Sequence, residues 1–155
     1  MEVERRINYV LCILGALVAA IIGGFIWAGI AITTNYELGI IAWLIGGLTG
    51  FAVFFTSNKR ASAATQLIAV IASLIGIILG KYFIFSYFLM DGFSGIADGE
   101  VIRFFIEAMQ SNFSDMFGAM DIVFAVLAIL TAWQLPRNMA AKRQAAENSQ
   151  TVPAE

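Results

Sequence analysis

Long apolar runs separated by short polar breaks dominate this chain. They cover about residues 7–30, 36–56, 66–90 and 118–135. Crossing ~30 Å of hydrocarbon as a helix takes ~20 apolar residues, and ~17 is the lower limit. A backbone without water must satisfy its hydrogen bonds within its own segment, which makes helix the state of each run. The pattern therefore predicts an all-α integral membrane protein, a four-helix transmembrane bundle. The first run is about 24 residues long, whereas the apolar region of a cleaved signal peptide is ~7–15 residues, so it reads as a retained span.

Two segments break the pattern. The connection over 91–117 opens with Asp91-Gly92 and Gly95, a loop signature. After it, Val101, Ile102, Phe105, Ile106, Met109 and Phe113 recur at three- and four-residue spacing. This predicts an amphipathic extracytoplasmic helix over about 99–113, lying as a lid on the bundle or in the interface. Past the fourth run, Pro136 predicts a helix stop, followed by a polar cytoplasmic tail over 137–155 with a short helix near 139–146 and disorder at its end. The membrane domain is then 1–136.

Charge placement sets the orientation. Arg5, Arg6, Lys59, Arg60, Arg137, Lys142 and Arg143 are seven of the nine basic residues, and one topology puts all of them on the same side. Basic residues near span ends stay in the cytoplasm, so both termini and the 57–65 turn are expected there, in a multi-pass plasma (inner) membrane protein. The opposite connections carry Glu37, Asp91, Asp98, Glu100, Glu107 and Asp115 against Arg103 alone. Tyr9 and Trp133 are expected at the inner headgroup level, and Trp27, Tyr36, Tyr82 and Tyr87 at the outer one.

Composition agrees with lipid as solvent and narrows the chemistry. Of 155 residues, 60% are hydrophobic and 13% charged, against roughly half and a quarter in soluble domains. The chain has no histidine and one cysteine, Cys12. That removes His-dependent catalysis, His-ligated metals, and any disulfide or thiolate cluster within the chain. Asp91 and Asp98 match no metal-loop spacing. The sequence points to no catalytic, cofactor or metal site. No basic patch offers nucleic acid a footprint.

Small residues recur every four positions in three runs: Gly15, Ala19, Gly23 beside Ala16, Ala20, Gly24; then Ala42, Gly46, Gly50; then Ala72, Gly76, Gly80. In lipid, close van der Waals contact holds helices together, and small residues permit it. The first three spans are expected to form a tight core, with the glycine-free fourth more peripheral. The second and third ladders also align with each other at an offset of 30 residues. The same faces suit a homo-oligomer or a larger membrane complex.

Lys81 is the one ionisable residue well inside a run. Such a residue either snorkels its ammonium to the headgroups or marks a functional site. Glu37 and Asp121 begin the second and fourth runs and fall at its level, with Trp43 just below, which forms a candidate polar cluster: Lys81, Glu37, Asp121 and Trp43. A permeation path needs polar lining, and the runs offer few candidates for it: Asn8, Thr49, Ser73, Lys81, Ser86 and Thr131. The expectation is a non-enzymatic structural or accessory membrane component, self-associating through its ladders; the alternative is an oligomeric small channel or transporter with an outward-facing cluster around Lys81.

Overall fold

The computed structural model describes residues 6–151; Arg5 and the last four residues of the tail lie outside it. All regular structure among the described residues is helical: α1 Tyr9–Thr34, α2 Ile40–Thr56, α3 Ala63–Met90, a 3₁₀ turn Phe93–Gly95, α4 Gly99–Ser111, α5 Phe113–Met116 and α6 Ala119–Thr151. Three of these, α1, α3 and α6, are long and apolar enough to cross a membrane. α2 is equally apolar but has 17 residues, about 26 Å at 1.5 Å per residue.

Local chemistry sets the ends. The Asn8 side chain accepts from the Leu11 amide and starts α1. Ser62 and Thr65 form a reciprocal capping box at the head of α3, each satisfying an amide that the helix leaves unpaired. Asn35 and Asp91 close α1 and α3 in the left-handed conformation. Asp98 caps α4 by accepting from the Glu100 amide.

The four long helices pack as two parallel pairs. α1 lies along α3, α2 lies along α6, and α2 and α3 join the pairs, so that α1 and α6 occupy opposite edges. Small residues make both seams. A Cβ on Gly24 or Gly76 would stand 3.1 Å from the backbone of Gly80 or Ala20 respectively. In the second pair, a Cβ on Gly46 would stand 2.4 Å from the Ala128 carbonyl oxygen, and one on Gly50 would meet Ala132 at 3.4 Å. The two ladders that align in sequence thus serve equivalent seams. Positions rise together along both partners, as they must when the helices run the same way.

The remaining ladder positions fill the inter-pair contact. Gly15 and Gly23 face Thr56 and Ile45 of α2. Ala19, Ala42 and Ala72 are buried. The large apolar side chains point outward instead, including Val10, Leu14, Val18, Ile22, Phe51, Phe55 and Leu67, each about half exposed. A water-soluble fold buries such residues. Small inside and large outside is the arrangement of helices solvated by lipid.

The fourth helix is the more peripheral one, its apolar stretch 17% buried against 39% in α1 and 56% in α3; Ala128 and Ala132, four residues apart and fully buried, still give α6 a small-residue face without glycine. One expectation needs correction: Pro136 does not end α6. α6 runs through Pro136 to Thr151, because proline removes only one helical hydrogen bond, that to the Ala132 carbonyl, and the Ala-, Lys-, Arg- and Gln-rich stretch beyond favours helix. Next to this break, the Gln66 side chain of α3 donates to the Trp133 carbonyl at 2.7 Å, which ties the weakened stretch to its neighbour.

Candidate functional site

α3 has 28 residues and outlasts its partners. Glu37 lies in the turn between α1 and α2, and Asp121 in the first turn of α6. Lys81 sits level with both, so the nine residues from Tyr82 to Met90 extend α3 by about 13 Å past that level. α4 packs on this extension: Phe105 meets the rings of Tyr82 and Phe85 with centroids 5.3 and 5.5 Å away. The Tyr82 hydroxyl donates to the Ile96 carbonyl at 2.6 Å, which pins the α3–α4 connection to the helix beneath it. Tyr82 therefore holds the cap.

Lys81 does not snorkel. Its side chain is 4% exposed, and its ammonium donates to Glu37 Oε2 and, at 2.9 Å, to Asp121 Oδ2. The same Asp121 oxygen accepts from the Gly118 amide at 3.2 Å. Two aromatic faces close the remaining sides, Trp27 with its centroid 5.5 Å from Nζ and Phe117 at 5.4 Å. An ammonium so enclosed loses hydration, and paired carboxylates with π faces restore much of it. Gly39, beneath, lets α6 approach: a Cβ there would meet Phe124 at 2.8 Å and Asp121 Oδ1 at 3.1 Å. One lysine thus joins the α1–α2 turn, α3 and the start of α6.

The structure brings together three of the four residues singled out from sequence. Trp43 stands apart; its indole Nε1 donates to Thr131 of α6 at 2.7 Å. Glu37 precedes α2, whereas Trp43 lies a full turn inside it. Trp27 takes the aromatic place instead and is fully buried. Its register against Gly80, whose missing side chain makes room for the indole at 2.6 Å from a would-be Cβ, could only be read once the α1–α3 pairing was known.

Beside the cluster an open groove of about 530 Å³ runs between the α3 extension and the α5–α6 connection. Its lining mixes the apolar Ile84, Phe85, Phe88, Leu89 and Met116 with the charged Glu37, Lys81, Asp115 and Asp121. Phe85 and Phe88 follow Lys81 by four and seven residues, a one-face spacing visible in the sequence. No family model, curated protein or solved structure matches this chain. Geometry alone therefore carries the functional argument.

The buried polar groups elsewhere are mostly engaged within their own helices. Thr49 donates to the Ile45 and Gly46 carbonyls, and Ser73 to that of Val70. Asn8 caps α1, and Thr131 serves Trp43. The Trp27 indole nitrogen and Ser86 hydroxyl are buried without a hydrogen-bond partner.

Proposed function

We propose that this chain is a four-pass, non-enzymatic accessory protein of the plasma (inner) membrane with both termini in the cytoplasm. The observation that carries the reading is the small-residue interior, where Thr49 and Ser73 turn their hydroxyls back on their own helices. Such a bundle acts through its perimeter and its ends. Its seven ladder glycines face neighbours within the same chain, so self-association, if it occurs, uses other surfaces. α2 at 17 residues meets the lower limit for a span, and pairing along α6 supports it as the fourth crossing. The turn at Lys59 and Arg60 and the basic stretch after Pro136 fall at the end opposite Lys81, where the Asn58 side chain also donates to the Arg6 carbonyl. That clustering supports the cytoplasmic assignment.

The test is reconstitution of the purified chain into sealed vesicles loaded with a pH- or potassium-sensitive dye, together with native mass determination in mild detergent. The accessory reading expects no leak above empty vesicles. A saturable, chain-dependent flux from a homo-oligomer would replace it with a small channel or transporter. The groove beside Lys81 is the feature that favours this second reading.

A further inference from the structure

The groove beside Lys81 has a composition that selects its occupant. Three carboxylates, Glu37, Asp115 and Asp121, face one ammonium. Lys81 is spent on Glu37 and Asp121, and Asp115 makes no ion pair among the described residues. The groove is therefore short of positive charge, and Lys81 is not free to hold an anion. The carboxylates are also too dispersed to make a metal site; no group of three potential ligands comes together among the described residues. The rest of the lining is aromatic and aliphatic, Phe85 and Phe88 among it. A hydrated inorganic ion gains nothing from such a lining, whereas an alkylammonium buries its stem there and sets its charge among carboxylates and π faces.

We propose that this groove binds an amphipathic ammonium, a cationic amine carried on an apolar stem. Under the orientation proposed above, on which the source of the ligand rests, the groove opens at the outer leaflet. The amine then comes either from an ethanolamine-type lipid headgroup or from a free lipophilic amine. Asp115, exposed and outside the Lys81 network, supplies the unpaired charge, and Phe88 the apolar contact.

The experiment is native mass spectrometry of the full chain in a non-ionic detergent. Equimolar phosphatidylethanolamine and phosphatidylglycerol are offered first, then n-octylammonium or octanoate. Preferential retention of phosphatidylethanolamine, or binding of n-octylammonium without lipid preference, supports the site; the first assigns it to lipid and the second to a free amine. Asp115→Asn should weaken either by about fivefold, the effect of one largely solvated unit charge near contact, and Phe88→Ala should weaken it further. Asp115→Asn lies on an exposed turn away from the helix seams, so its folding, checked by melting temperature, should match the parent. Failure to retain either amine, octanoate held as well as n-octylammonium, phosphatidylglycerol held in preference to phosphatidylethanolamine, or affinity unchanged by Asp115→Asn, overturns the proposal. Binding in detergent does not depend on membrane orientation, so an inverted topology would leave this result intact while sinking the assignment above.

Discussion

Gly46→Ala is the sharpest perturbation of the seam between α2 and α6. The added methyl would lie 2.4 Å from the Ala128 oxygen, 2.6 Å from its Cα and 2.8 Å from its carbonyl carbon. All three are backbone atoms, so no rotamer change relieves the contact. Ordinary van der Waals separation begins near 3.4 Å, and the helices must part by about 1 Å to reach it, a gap that forfeits a quarter to a half of each dispersion well along the seam. Overpacking of this kind costs about 1–3 kcal/mol, and the immovable backbone puts Gly46 at the upper end. Gly47, one residue on, has nothing within 4 Å of a would-be Cβ. Both substitutions gain the same helix propensity, about 1 kcal/mol, so their difference isolates the clash. Reversible unfolding in mixed micelles should place Gly46→Ala about 2–3 kcal/mol below Gly47→Ala. Equal stabilities would refute the α2–α6 seam.

Other expectations concern the network and the cap. Lys81→Met leaves two carboxylates facing each other with Asp121 only 15% exposed; stability should fall by about 3 kcal/mol, near the low end for a broken buried pair because Glu37 is 41% exposed. Adding Asp121→Asn to Lys81→Met should recover part of that loss, and a further fall would contradict the pairing. Tyr82→Phe removes the bond to Ile96, worth about 1 kcal/mol, and should speed hydrogen exchange in residues 93–98 while sparing the bundle. Gln66→Leu leaves the Trp133 carbonyl without its donor beside Pro136, and should lower the melting temperature and raise exchange at the following turn of α6.

The long apolar runs were legible in sequence because lipid imposes length and apolarity on a helix directly. Lys81 was legible as a lone charge well inside a run, and Glu37 and Asp121 because charges are tolerated near the ends of such runs, where adjacent helices share a level. What the sequence hid depends on rotation and pairing. Trp27 lies seven residues from the end of α1 and Trp43 three from the start of α2, and only the α1–α3 seam decides that Trp27, the deeper of the two, reaches Lys81. The α6 face was missed because alanine at 128 and 132 reads as ordinary apolar filling when glycine is taken as the marker of close approach. Pro136 misled because a single lost hydrogen bond does not stop a helix whose continuation favours that state. The start of α2 moved from residue 36 to Ile40 because Glu37 and Gly39 serve the turn that brings the carboxylate to Lys81.

Whether α2 crosses the membrane is the point on which the four-pass account turns. Single cysteines placed by Tyr36→Cys, Asn58→Cys and Gln110→Cys in a Cys12→Ala background can be probed in intact cells with a membrane-impermeant maleimide. The account predicts labelling at positions 36 and 110 and protection at 58 until the cells are permeabilised. Labelling at 36 and 58 together from the same side would show that α2 does not cross, and would contradict it.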